Sequence, residues 1–107
     1  MKKIVKHNKS GELIMLDTEN DQIVYDGHEN EGPRQNRWLE LYVHRAEGLE
    51  HIYYVAHMTH WQGERSYLEV VTKDQAAELV GANMDDLDED ALQFIEEIGL
   101  IRFAELK

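Results

Sequence analysis

The apolar pattern of this chain changes period at Thr72, and that change fixes the fold class more firmly than any motif. Before Thr72 the apolar residues come in short runs rich in Ile, Val, Leu, Tyr and Trp: Lys3–His7, Glu12–Asp17, Gln22–Asp26, Arg37–His44, His51–Met58 and Arg65–Val71. Such runs, separated by turn formers, predict strands. After Thr72 the spacing becomes helical. Thr72-Lys73-Asp74-Gln75 matches a capping box, and Ala76, Leu79 and Val80 form a short stripe ending near Gly81. A second helix is expected from near Asp85, burying Leu87, Ala91, Phe94, Ile95 and Ile98 before Gly99. The expected fold is therefore α+β, a mainly antiparallel β-meander followed by two short helices packed on one face. Leu100–Glu105 can supply a final edge strand.

At 107 residues the chain has the size of one domain, 1–107, large enough to hold a core without staples. It has no cysteine, which removes disulfides, thiolate nucleophiles and Cys-based metal sites from consideration. The basic start, Met1-Lys2-Lys3-Ile4-Val5-Lys6-His7, lacks the apolar run of a secretory signal, and no stretch has the length of a membrane span. A cytoplasmic location is the expectation, with no membrane partner and no cofactor. Ser10-Gly11 and Glu19-Asn20-Asp21 offer tight turns, whereas Gly27–Asn36 holds two Gly, two Asn and the only Pro and should be a surface loop.

Charge is the second constraint. Between Asp74 and Leu100 stand nine carboxylates and no Lys or Arg, in a chain of formal net charge −11. Asp85, Asp86, Asp88, Glu89, Asp90, Glu96 and Glu97 cluster on the second helix and its approach. Because the apolar rhythm persists through them, they read as a folded acidic surface. Such a surface would select a protein with a basic face, while direct nucleic-acid binding is disfavoured. A solvated helix surface with no partner is the plainer explanation. Asp86, Asp88, Asp90 and Glu97 also fall at the first, third, fifth and twelfth positions of a calcium loop, but Ala91 occupies the place that needs Gly.

Strand alternation predicts two sheet faces. Leu39, Leu41, Val43, Ile52, Tyr54, Ala56, Met58, Leu68 and Val70 are expected beneath the helices. Trp38, Tyr42, His44, His51, Tyr53, His57 and Tyr67, with Glu40 and Glu69, would then share the opposite face as an aromatic binding surface. Cross-strand pairing on an open face, or cover by the N-terminal strands, accounts for the same residues. A homodimer through this face or through Ile101–Glu105 is a further reading. The run His57-Met58-Thr59-His60-Trp61-Gln62-Gly63-Glu64-Arg65 concentrates chemically capable side chains. His57, His60 and Glu64 could bind a divalent metal or form the centre of a small enzyme, although His-x-x-His on a strand sends the two rings to opposite faces.

The strand pair leading into Trp61-Gln62-Gly63-Glu64-Arg65, followed by Thr72-Lys73-Asp74-Gln75-Ala76-Ala77-Glu78-Leu79, resembles a group of short bacterial proteins without assigned function. The resemblance covers about residues 37–80. It implies a small prokaryotic or phage-associated protein and transfers no activity and no catalytic residue. The expected function is a non-enzymatic protein-interaction, regulatory or inhibitory module, with the small enzyme centred on His57, His60 and Glu64 as the alternative.

Overall fold

The computed structural model describes residues 1–7, 9–27, 36–46 and 50–101. Among the described residues six antiparallel strands precede two helices: β1 (Lys2–Lys6), β2 (Leu13–Asp17), β3 (Gln22–Asp26), β4 (Arg37–His44), β5 (Ile52–Thr59), β6 (Tyr67–Val71), α1 (Lys73–Ala82) and α2 (Glu89–Glu97). The α+β expectation holds. Residues 28–35 of the expected loop and 102–105 of the expected final strand lie outside the described residues.

The meander divides into two sheets, a β1-β2 hairpin and a four-stranded sheet ordered β3-β4-β5-β6. The hairpin lies on one face of the larger sheet and the helices on the other. Leu16, fully buried, packs from β2 against Tyr42, Tyr54, Ala56 and Leu68, with Val5 and Ile14 beside it. On the other face Leu41, Val43, Tyr53 and Val55 meet Ala76 and Val80 of α1 and Ile95 and Ile98 around α2. A register shift between Ile23 and Tyr25 lets Val24 and Tyr25 both join this second core, as a bulge permits for consecutive residues. Lys3 reaches across to donate to the Leu68 carbonyl on β6, the last of the described strands in the sheet order, at 3.1 Å.

The expected facing of β4 is observed, but that of β5 and β6 is reversed. Val43 pairs with Tyr53 and Tyr42 with Tyr54, so Tyr53 and Val55 share the helix side with Leu41 and Val43. Tyr54, Ala56 and Leu68 face the hairpin, and Val70 is exposed on the same side. The reason is that both faces of this sheet are covered. Ile-Tyr-Tyr-Val-Ala is apolar at every position, so alternation carries no phase information there.

Helix α1 begins as expected: Thr72 Oγ1 accepts from the Gln75 amide and Gln75 returns the bond to the Thr72 amide. The second helix starts later than expected. Asp85 and Asp86 belong to a 3₁₀ turn over Met84–Asp86, Leu87 is extended, and Asp88 caps α2 by accepting from the Ala91 amide at 2.8 Å. An aspartate there satisfies an orphan amide that a helix running on from Asp85 would not need capped. At the other end Gly99, at φ 77°, closes α2: its amide donates to Glu96 and the Leu100 amide to Ile95, the pairing of a Schellman turn.

Candidate functional site

The acidic surface is built by the caps just described. With Ile95 and Ile98 buried, the helical period turns Glu89, Asp90, Glu96 and Glu97 outward, and Asp85, Asp86 and Asp88 are exposed beside them. Among the described residues none of the seven forms an ion pair. Glu89 and Asp90 sit in the first turn of α2, where the helix dipole favours them. Glu96 and Glu97 sit at its other end, which has no basic residue and where the dipole opposes them.

The expected aromatic face does not exist as one surface. Trp38, Tyr42 and His44 point to the hairpin side, whereas Tyr53, His57 and Tyr67 point to the helix side, and His51 lies just before β5. Trp38, Tyr42 and Tyr53 are buried. On the hairpin side Glu40 accepts from both Trp38 Nε1, at 2.6 Å, and the Tyr42 hydroxyl, at 2.8 Å. Tyr42 stacks on Tyr54 with ring centroids 5.3 Å apart. Tyr54 in turn donates to Asp21 Oδ2 at 2.7 Å, and His44 Nδ1 faces Asp21 Oδ1 at 2.7 Å. Burial, reinforced by the Glu40 and Asp21 carboxylates, pushes the Tyr42 and Tyr54 hydroxyls far above their ordinary range. These side chains join the layers of the fold and present no free recognition patch. The role of Asp21 was not foreseen from sequence, although the Asp17-x-x-Asn20-Asp21 spacing of an Asx-rich turn was visible.

His57, His60 and Glu64 are not brought together. His57 Nε2 meets Glu69 Oε1 at 3.0 Å and its ring stacks on Tyr67, centroids 4.4 Å apart. His60 lies against the Trp38 ring. Glu64 is held by a two-pronged pairing with Arg37 and by the Thr59 hydroxyl, and Arg37 and then Thr59 keep its carboxyl below the usual range. Among the described residues no three His, Asp or Glu side chains are placed to hold a metal ion. Strand alternation and the Arg37 pairing hold His57, His60 and Glu64 apart. Gly63, at φ 88°, makes the turn that carries Trp61, 51% exposed, over which Arg37 lies at 5.9 Å.

What the segment does form is one wall of a cleft of about 460 Å³. Its lining includes Leu39, Leu79 and Tyr25 together with His57, Tyr67, Arg37, Arg65 and Glu64. Comparison with known families, curated proteins and solved structures finds no match to this chain. No helix among the described residues is long and apolar enough to cross a membrane.

Proposed function

We propose that this chain is a non-enzymatic protein-interaction module whose acidic helical surface engages a basic face of another protein, acting as a regulator or inhibitor in the cytoplasm. One observation carries the reading. Glu96 and Glu97 stand at the C-terminal end of α2, against the dipole and without a basic neighbour in that turn. Carboxylates set against the helix dipole, on a helix capped by Asp88 and anchored by the buried Ile95, suit an opposite charge supplied from outside. The remaining carboxylates extend the same field, which would steer association and set its partner preference.

The test is capture from host lysate at low and high salt, repeated with Asp85→Asn, Asp86→Asn, Asp90→Asn, Glu96→Gln and Glu97→Gln combined. Asp88 is kept because it caps α2. A cationic protein released by salt and lost by the neutralised variant is the expected result. A partner retained equally by the neutralised variant would overturn the proposal.

A further inference from the structure

The cleft beside the β5–β6 turn is independent of the acidic surface, and its chemistry specifies a different occupant. Among the described residues, helix α1 covers the middle of the sheet and leaves a cleft at the corner formed by Leu39, His57 and Tyr67. Its volume lies in the range of small-molecule sites. Leu39 and Leu79 give it apolar lining, and the parallel His57–Tyr67 stack gives it aromatic lining. Tyr67 is 55% exposed, so part of its ring surface is open to a second planar group.

The polar groups around the cleft decide the charge of what can enter. Glu64 is the one carboxylate among the described lining residues, and both of its oxygens are already engaged. Tyr25 donates its hydroxyl proton to Asn83, and Asn83 donates to the Leu79 carbonyl. The capacity that remains is largely donor: Arg65 has no side-chain partner among the described residues, Arg37 retains one terminal nitrogen, and His57 retains Nδ1. In a chain of net charge −11, the described lining of this cleft has two arginines and no uncommitted carboxylate. The geometry points to a binding site for a small planar aromatic acid, its ring against Tyr67 and its carboxylate on the Arg65 guanidinium, with the free arms of Arg37 and His57 available beside it.

Three probes separate ring from charge: indole-3-acetate, its neutral isostere indole-3-acetamide, and acetate. Calorimetric titration of the full chain should show indole-3-acetate binding about tenfold more tightly than the amide, with acetate silent. Arg65→Ala should remove the preference for the acid while sparing the amide. Tyr67→Ala should weaken both aromatic probes, and Tyr67→Leu, which keeps an apolar side chain on β6, should do the same in a protein whose circular dichroism is unchanged. Equal binding of acid and amide, acetate binding as well as the aromatic acid, an unaltered preference in Arg65→Ala, or no heat from any probe up to millimolar concentration would each overturn the assignment.

Discussion

The Tyr54 hydroxyl donates to Asp21 Oδ2 at 2.7 Å, linking the middle of β5 to the turn that carries the chain from the hairpin into the main sheet. Asp21 Oδ2 also accepts from the Asp17 amide, so a single carboxylate orders the turn and anchors it to the core. Tyr54→Phe keeps the ring and its stack on Tyr42 but removes this charge-assisted bond. Urea unfolding should report a loss of about 1.5–3 kcal/mol; a loss within error of zero would mean the bond is not formed in solution.

The buried tyrosines make the fold sensitive to alkali. Burial raises the Tyr42, Tyr53 and Tyr54 hydroxyls above their ordinary value of 10.0. Their stabilising contribution is complete below the unfolded value and declines as pH rises above it, because the unfolded chain then loses protons that the folded chain keeps. Stability should fall above about pH 10 by up to about 1.4 kcal/mol per pH unit for each tyrosine. Ionisation of these three should accompany loss of the near-ultraviolet dichroism, and their free titration with that signal intact would refute the burial.

Leu16 fastens the hairpin to the sheet, since it is fully buried against Tyr42, Tyr54, Ala56 and Leu68. Leu16→Ala should cost about 2–5 kcal/mol, the range for emptying a buried leucine site. Hydrogen exchange of β1 and β2 should accelerate in the variant. Unchanged stability would show that the hairpin is not docked.

Helix α2 carries its own instability at one end. Glu97→Gln should raise stability by about 0.3–1 kcal/mol at low salt, and added salt should shrink that gain by screening the parent chain. Thermal melts of both proteins at two ionic strengths decide the matter, and a destabilised variant would mean that Glu97 has a favourable partner.

Gly99 closes the same helix at a backbone angle that L residues with a Cβ avoid. Space is not the obstacle, because among the described residues nothing beyond its chain neighbours and its own helix lies within 4 Å of a Cβ placed there. Gly99→Ala should therefore cost about 1–2 kcal/mol through conformation alone, and chemical denaturation should show no change in slope.

Much of the fold was legible because its signals are local. The Thr72 capping box, the Gly63 turn and the helical stripe through Ile95 and Ile98 each specify their element with neighbouring residues, and each is present. The phase of β5 was not legible, since Tyr53 and Tyr54 are both buried and which one faces the helices is fixed by long-range register. That one-residue slip dispersed the expected aromatic surface. His57, His60 and Glu64 were adjacent in sequence but drawn apart by Glu69, Trp38 and Arg37, partners supplied by other strands or other positions on them. The acidic residues were legible from their run alone, and only the delayed start of α2 at Asp88 needed the three-dimensional structure.

The bond from Lys3 to the Leu68 carbonyl has a consequence beyond the stability of one molecule. A four-stranded sheet ends in unpaired backbone groups, which invite another chain to add a strand and then another. Among the described strands β6 is an edge, and Lys3 occupies one of its acceptors and brings a cation to the margin, which disfavours the addition of a further strand there. A lysine at a sheet margin is the kind of charge that discourages edge-to-edge pairing, and here it comes from the same hairpin that completes the core.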